Sequence, residues 1–308
     1  MFSLPFPKNS FQAQIYAIFA TILIAGSFFA SQRLSGVLTP SLLTLIRFIL
    51  ATIFLAPFVL FSKTKRTQLL YTMPRAMIIS LFYSLYFMIM FEALKTTTVL
   101  NTGTLYTLVP FVTALFAFVA FKDRLGYKRM LAFIIGTIGT VWVIFEGNIE
   151  RILQFNLQEG DGLFILGAIS MCVYGILIKA LYCNDDLLVL VFCTLIGGTV
   201  WMGIGTIFFD APVGAFEVDF EFILCMLYLA IGTTIFTLFL LQSATVVLGP
   251  VRVMSYVYLN PIIVALLLFI IEGKTIPTIV IPGVLLSCLA TWILQGISDH
   301  SLKKREEI

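Results

Sequence analysis

Arg47 stands well inside an apolar run, residues 39–61. At that depth in a bilayer a guanidinium costs about 2.5–3.5 kcal/mol on insertion scales, so it must face protein or water and find a partner. Two functional chemistries suit it: binding a solute carboxylate, or holding a gate between helices. The bland alternative is an anchor that bonds helix-end carbonyls or pairs with Glu92, which closes the third apolar run. Glu92 itself could carry a coupling proton if burial favours its neutral form.

Other polar and aromatic groups fall at helical spacing. Ser80, Tyr83, Ser84, Phe87 and Phe91 share one face of the third run. Asn101, Thr104 and Leu108 share a face of the fourth run, and Arg252, Ser255 and Leu259 a face of the ninth, where Tyr256 follows Ser255. The sixth run adds Ser170 and Tyr174, and the eighth adds Tyr228, Gly232 and Thr233. In a membrane bundle such faces turn inward, where they either line a pocket for a small-molecule substrate or join helices through small residues and hydroxyls. Pro110 and Pro261 interrupt helical hydrogen bonding at mid-membrane. Each marks a place where a carrier binds or bends, or a plain packing kink.

The elements that must position these groups are helices in a lipid bilayer. Sixty per cent of the 308 residues are hydrophobic and 11% are charged, against about 45–50% and about 25% in a soluble domain, which excludes a water-soluble globule. Runs of spanning length fall at residues 11–31, 39–61, 74–94, 97–121, 128–146, 162–182, 186–209, 219–243, 251–272 and 277–296. Thr39-Pro40, Met73-Pro74, Glu159-Gly160-Asp161-Gly162, Asp210-Ala211-Pro212 and Gly249-Pro250 punctuate them as expected surface turns. The fold expected is all-α, a polytopic membrane bundle of ten transmembrane helices. The first run lacks a trustworthy cleavage pattern and is expected to be a retained span.

With both termini cytoplasmic, 14 of the 19 basic residues fall inside and four outside, with Arg47 left within a span. That bias sets the orientation. The net charge of +3 therefore reflects topology, and nucleic acid is not an expected partner. Cys172, Cys183, Cys193, Cys225 and Cys288 are odd in number, lack CxxC spacing and read as small core hydrophobes. No phosphate-binding loop or HExxH motif is present, and His300 is the only histidine. ATP-driven transport by this chain alone and zinc hydrolysis are disfavoured, no cofactor or metal is expected, and the chain does not read as an enzyme.

Aligning Pro110 with Pro261 places Leu108 over Leu259, Ala114 over Ala265, Leu115 over Leu266 and Phe118 over Phe269. Acids follow both segments, Asp123 and Glu272, and a glycine opens each next helix, Gly136 and Gly283. The repeat also places Gln242 opposite Glu92, keeping hydrogen bonding without charge. Two domains are expected, residues 1–148 and 149–308. Each holds five spans, so the second copy enters from the opposite side, the inverted arrangement from which secondary transporters build alternating gates.

These features resemble the drug/metabolite transporter superfamily, and within it the ten-span EamA-type carriers, over about residues 14–296. The resemblance rests on Gly26-Ser27-Phe28-Phe29, Arg47-Phe48-Ile49-Leu50-Ala51 and Glu92-Ala93-Leu94. It rests also on Pro110 running into Lys122-Asp123-Arg124-Leu125, and Pro261 into Glu272-Gly273-Lys274. It implies a bacterial inner-membrane carrier that alternates between inward-open and outward-open states around a central cavity. One departure is Ala25, where the family often has an aromatic residue. The expectation is a secondary carrier of small metabolites, most simply an exporter of amino acids or related compounds. Uptake of a nucleotide derivative or quaternary amine is the alternative, and a non-transporting partner or sensor the rival from another class. The expected partners are a small-molecule substrate, the lipid bilayer and, as candidate coupling ion, a proton, with monomer and homodimer both open.

Overall fold

The computed structural model describes residues 7, 9–34, 38–93, 96–97, 105–122, 126–156, 159–209, 219–273 and 277–296. Helices account for nearly all of it. The first half comprises α1 (Ser10–Arg33), α2 (Pro40–Leu60), α3 (Lys63–Ala93), α4 (Val109–Phe121) and α5 (Tyr127–Ile144). A one-turn helix, Ile149–Leu153, leads to the second half: α6 (Glu159–Leu181) and α7 (Leu187–Phe209). There follow α8 (Phe220–Leu227, Tyr228–Ile235 and Phe236–Leu248), α9 (Pro250–Ser255, Tyr256–Leu259 and Asn260–Glu272) and α10 (Thr278–Val280 and Ile281–Gly296). Among the described residues nine helices are long and apolar enough to cross a membrane, and α4 is a shorter apolar helix.

The helix pairing has the symmetry of a duplication. The packed pairs include α2 with α7, α5 with α10, α3 with α6, α3 with α7, α8 with α1, α8 with α2, α4 with α6, and α9 with α1. Exchanging α1–α5 for α6–α10 turns this set into itself. At the α5–α10 crossing the backbones meet: a Cβ on Gly139 would come within 2.8 Å of the Gly283 carbonyl oxygen, and one on Gly283 within 2.7 Å of that of Gly139. Small residues permit this approach where lipid supplies no hydrophobic drive for association. The glycine facing Gly283 is thus Gly139; Gly136, one turn earlier, lies against the Tyr258 ring.

Three boundaries differ from those read in the sequence. Met73-Pro74 is no turn, because α3 begins at Lys63 and runs through Pro74 unbroken. Thr72 and Arg75 flank the proline and both bond Asp185 beyond α6, so tertiary contacts outweigh its local cost. Glu159-Gly160-Asp161 form the first turn of α6 rather than a loop, where acids complement the positive helix end and Thr97 donates to Asp161. Helix α8 runs on to Leu248 and stops at Gly249, whose φ of 86° suits glycine.

Candidate functional site

Helix α2 starts where Thr39 caps it, its hydroxyl accepting from the Leu42 amide at 3.4 Å, with Pro40 in the first turn. This register aims Arg47 between α3 and α8. Its Nη2 donates to Thr233 Oγ1 at 2.9 Å and its Nε to Thr234 Oγ1, while its guanidinium carbon sits 6.0 Å from the centre of the Phe87 ring. Tyr83 and Tyr228 flank the charge. Arg47 has no carboxylate partner among the described residues, and it keeps part of its surface accessible.

The two threonines reach Arg47 because α8 is π-helical there, over Tyr228–Ile235. In the widened turn the Thr233 and Thr234 hydroxyls both donate to the Leu229 carbonyl, at 2.9 and 2.8 Å. Each hydroxyl has one proton and two lone pairs, so with its proton spent on the backbone it can only accept from Arg47. Such π segments recur at functional sites. A Cβ on Gly26 of α1 would collide with the Tyr228 hydroxyl, so this glycine makes room for that side chain.

Next to Arg47 lies a layer of rings. Tyr83 stacks on Phe48 with centroids 5.8 Å apart, meets Phe87 edge-on at 5.1 Å and lies 4.8 Å from Tyr174 of α6. Beyond these rings three polar atoms are buried without hydrogen-bond partners: Ser84 Oγ, the Tyr174 hydroxyl and Gln242 Oε1. Gln242 lies against the Tyr174 hydroxyl, and its Nε2 donates to Thr194 Oγ1 of α7 at 3.2 Å. Ser84 faces α7 one turn further along, beside Gly198.

The structure thus gathers Arg47, Tyr83, Ser84, Phe87, Tyr174, Tyr228 and Gln242 into one region. Glu92 is not among them: it is exposed at the end of α3, and Arg47 finds its partners on α8. Arg252, Ser255 and Tyr256 form a separate cluster. There Gln295 of α10 donates to the Arg252 carbonyl and to Ser255 Oγ, each at 3.0 Å, and Tyr256 packs with Ala13 and Ala17 of α1. Asn101, Thr104 and the Phe91 side chain lie outside the described residues. Pro110 and Pro261 each stand in the first turn of a helical segment, and before Pro261 helix α9 tightens to 3-10 geometry over Tyr256–Leu259.

Sequence reading missed Thr234, Thr194 and the role of Phe48. The adjacent Thr233-Thr234 pair was a visible polar interruption in an apolar run, but the π turn that points both hydroxyls at α2 has no comparable signature. Among the described residues no group of histidine, cysteine, aspartate or glutamate is placed to hold a metal ion.

Two five-helix halves packed on one another across a bilayer, with a buried cation and unpaired polar atoms between them, define a polytopic membrane protein of the two-repeat transporter class. The EamA-like transporter family matches the chain twice, over residues 12–145 and 158–295, and the protein belongs to that family. It is 23% identical over 207 residues to the uncharacterized transporter YyaM of Bacillus subtilis (strain 168), a match covering 67% of this chain and 68% of that one. Its fold resembles a crystal structure described only as that of a protein, with a TM-score of 0.71 and 18% identity over 92% of this chain and 96% of the other.

Proposed function

We propose that this EamA-family transporter is a secondary carrier that exports amino acids or related small metabolites by alternating access. The observation that carries the reading is the accessible, uncompensated Arg47 between α2, α3 and α8, within a helix pairing that maps onto itself when the halves are exchanged. Two matched halves offer two gates of similar energy, which alternation around a central site requires. On this reading the protein sits in the bacterial inner membrane with both termini cytoplasmic, an orientation that the charge bias supports.

Reconstitution into liposomes tests the proposal. Vesicles loaded with an amino-acid mixture should exchange it for external labelled substrate, with counterflow that protein-free vesicles lack. Movement of no solute in either direction would overturn the carrier reading.

A further inference from the structure

Most buried cations in a membrane bundle are matched by an acid or by backbone carbonyls. Among the described residues Arg47 is matched by neither: its hydrogen bonds go to two threonine hydroxyls. A guanidinium offers five N–H donors in a planar fork, and these two bonds leave most of the fork for another acceptor. A buried charge held only by neutral groups lacks the Coulombic return that offsets its desolvation. Its natural complement is a planar anion that receives two parallel N–H bonds, which a carboxylate is shaped to do.

A second observation points to the rest of the occupant. Ser84 and Gln242 are 0% exposed and Tyr174 1%, yet each has an unpaired polar atom. Leaving such a group unsatisfied costs about 1–3 kcal/mol; the Tyr174 ring lies 4.8 Å from that of Tyr83, and Ser84 and Gln242 face α7 at Gly198 and Thr194, one turn apart. Gln242 Oε1 can only accept, while the two hydroxyls donate and accept. Together they suit an uncharged group with both functions, such as a hydroxyl or an amide. No acid is found among the described members of this cluster to receive a cation.

We infer, on the basis of the carrier reading above, that the site takes an organic carboxylate with an uncharged hydrogen-bonding end. The carboxylate sits on Arg47, the body lies along the Tyr83 and Phe87 rings, and the polar end meets Ser84, Tyr174 and Gln242. Zwitterionic amino acids fit this description; solutes with net positive charge do not.

The test is thermal stabilisation of the purified full-length protein by matched probes, since a ligand bound only by the folded state raises its apparent stability. The first comparison sets 4-hydroxyphenylacetate and 3-(4-hydroxyphenyl)propionate against their uncharged carboxamides. The carboxylates should stabilise at concentrations at least about tenfold lower, a difference of about 1.4 kcal/mol. Equal stabilisation by the carboxamides, or none by the carboxylates, overturns the inference, and this comparison needs no variant. In Arg47→Gln the carboxylate preference should vanish and in Arg47→Lys partly return; a preference that survives Arg47→Gln overturns the assignment of that residue.

The second comparison sets 4-hydroxyphenylacetate against phenylacetate. Its advantage should disappear in Gln242→Leu while phenylacetate binding persists, and an advantage retained in that variant overturns the polar subsite. Carboxylate binding without movement across liposomes would sink the carrier reading and leave the site standing. Movement of cationic or uncharged solutes alone would do the reverse.

Discussion

Arg75 and Arg47 enter the same bundle under opposite conditions. At the junction between α3 and the α6–α7 loop, Arg75 Nη2 meets Asp185 Oδ1 at 2.7 Å and Nη1 donates to the Leu181 carbonyl at 3.2 Å. Thr72 and the Cys183 amide complete the Asp185 carboxylate at 3.0 and 3.3 Å, and Lys65 stands 3.7 Å from Asp186. The Tyr182 phenol donates to the Asp185 carbonyl at 3.4 Å. Each of these four charges has an opposite charge beside it. Arg47 sits deeper and has hydroxyls alone. Arg75 ties helices together at the bundle's edge, while Arg47 meets no carboxylate among the described residues.

That contrast can be broken by substitution. The largest loss of stability is expected from Asp185→Asn. Truncating one partner of a fully buried pair costs about 3–5 kcal/mol; here the Arg75 side chain is 23% exposed, and about 1–3 kcal/mol is expected after discounting for screening. Thermal unfolding should show it, more weakly as salt rises, with carboxylate affinity unchanged. An equal loss of affinity would mean the two arginines act as one unit.

The double substitution Thr233→Val with Thr234→Val comes next. It keeps shape and removes the acceptors that aim Arg47, so half-saturating substrate should rise several-fold with little change in stability, as read from transport kinetics. Unchanged kinetics would show that the π turn does not set the arginine's direction. Gly26→Ala should act through Tyr228, whose hydroxyl must move out of the way. The expected cost is about 1 kcal/mol, the low end for overpacking, with weaker substrate binding; wild-type behaviour would place Tyr228 outside the site. Glu92→Gln, at an exposed position, should have the smallest effect. Unchanged gradient-driven transport agrees with the structure, whereas its abolition with exchange preserved would return Glu92 to the coupling role.

Legibility in the sequence followed the physics of each element. Spanning helices need about 20 apolar residues, a local property, so their number and order were readable, as was the inward face of α3. The start of α3 was misread because Pro74 is a local signal, while the Asp185 contacts that overrule it arrive from over a hundred residues away. Glu92 looked like a partner for Arg47 because both lie in neighbouring spans, but pairing depends on depth and rotation, which periodicity does not supply. The Arg252 group shared a polar face with its repeat counterparts, yet α1 and α10 close around it.

By itself the sequence determined that this chain lives in a bilayer as two five-helix copies, because transfer free energy and charge bias act residue by residue. It also determined that Arg47 must have a partner. The tertiary structure alone decided that, among the described residues, this partner is no carboxylate. That outcome depends on where α3 and α8 turn their side chains, a π-helical segment included, and such rotations are fixed by packing between distant segments.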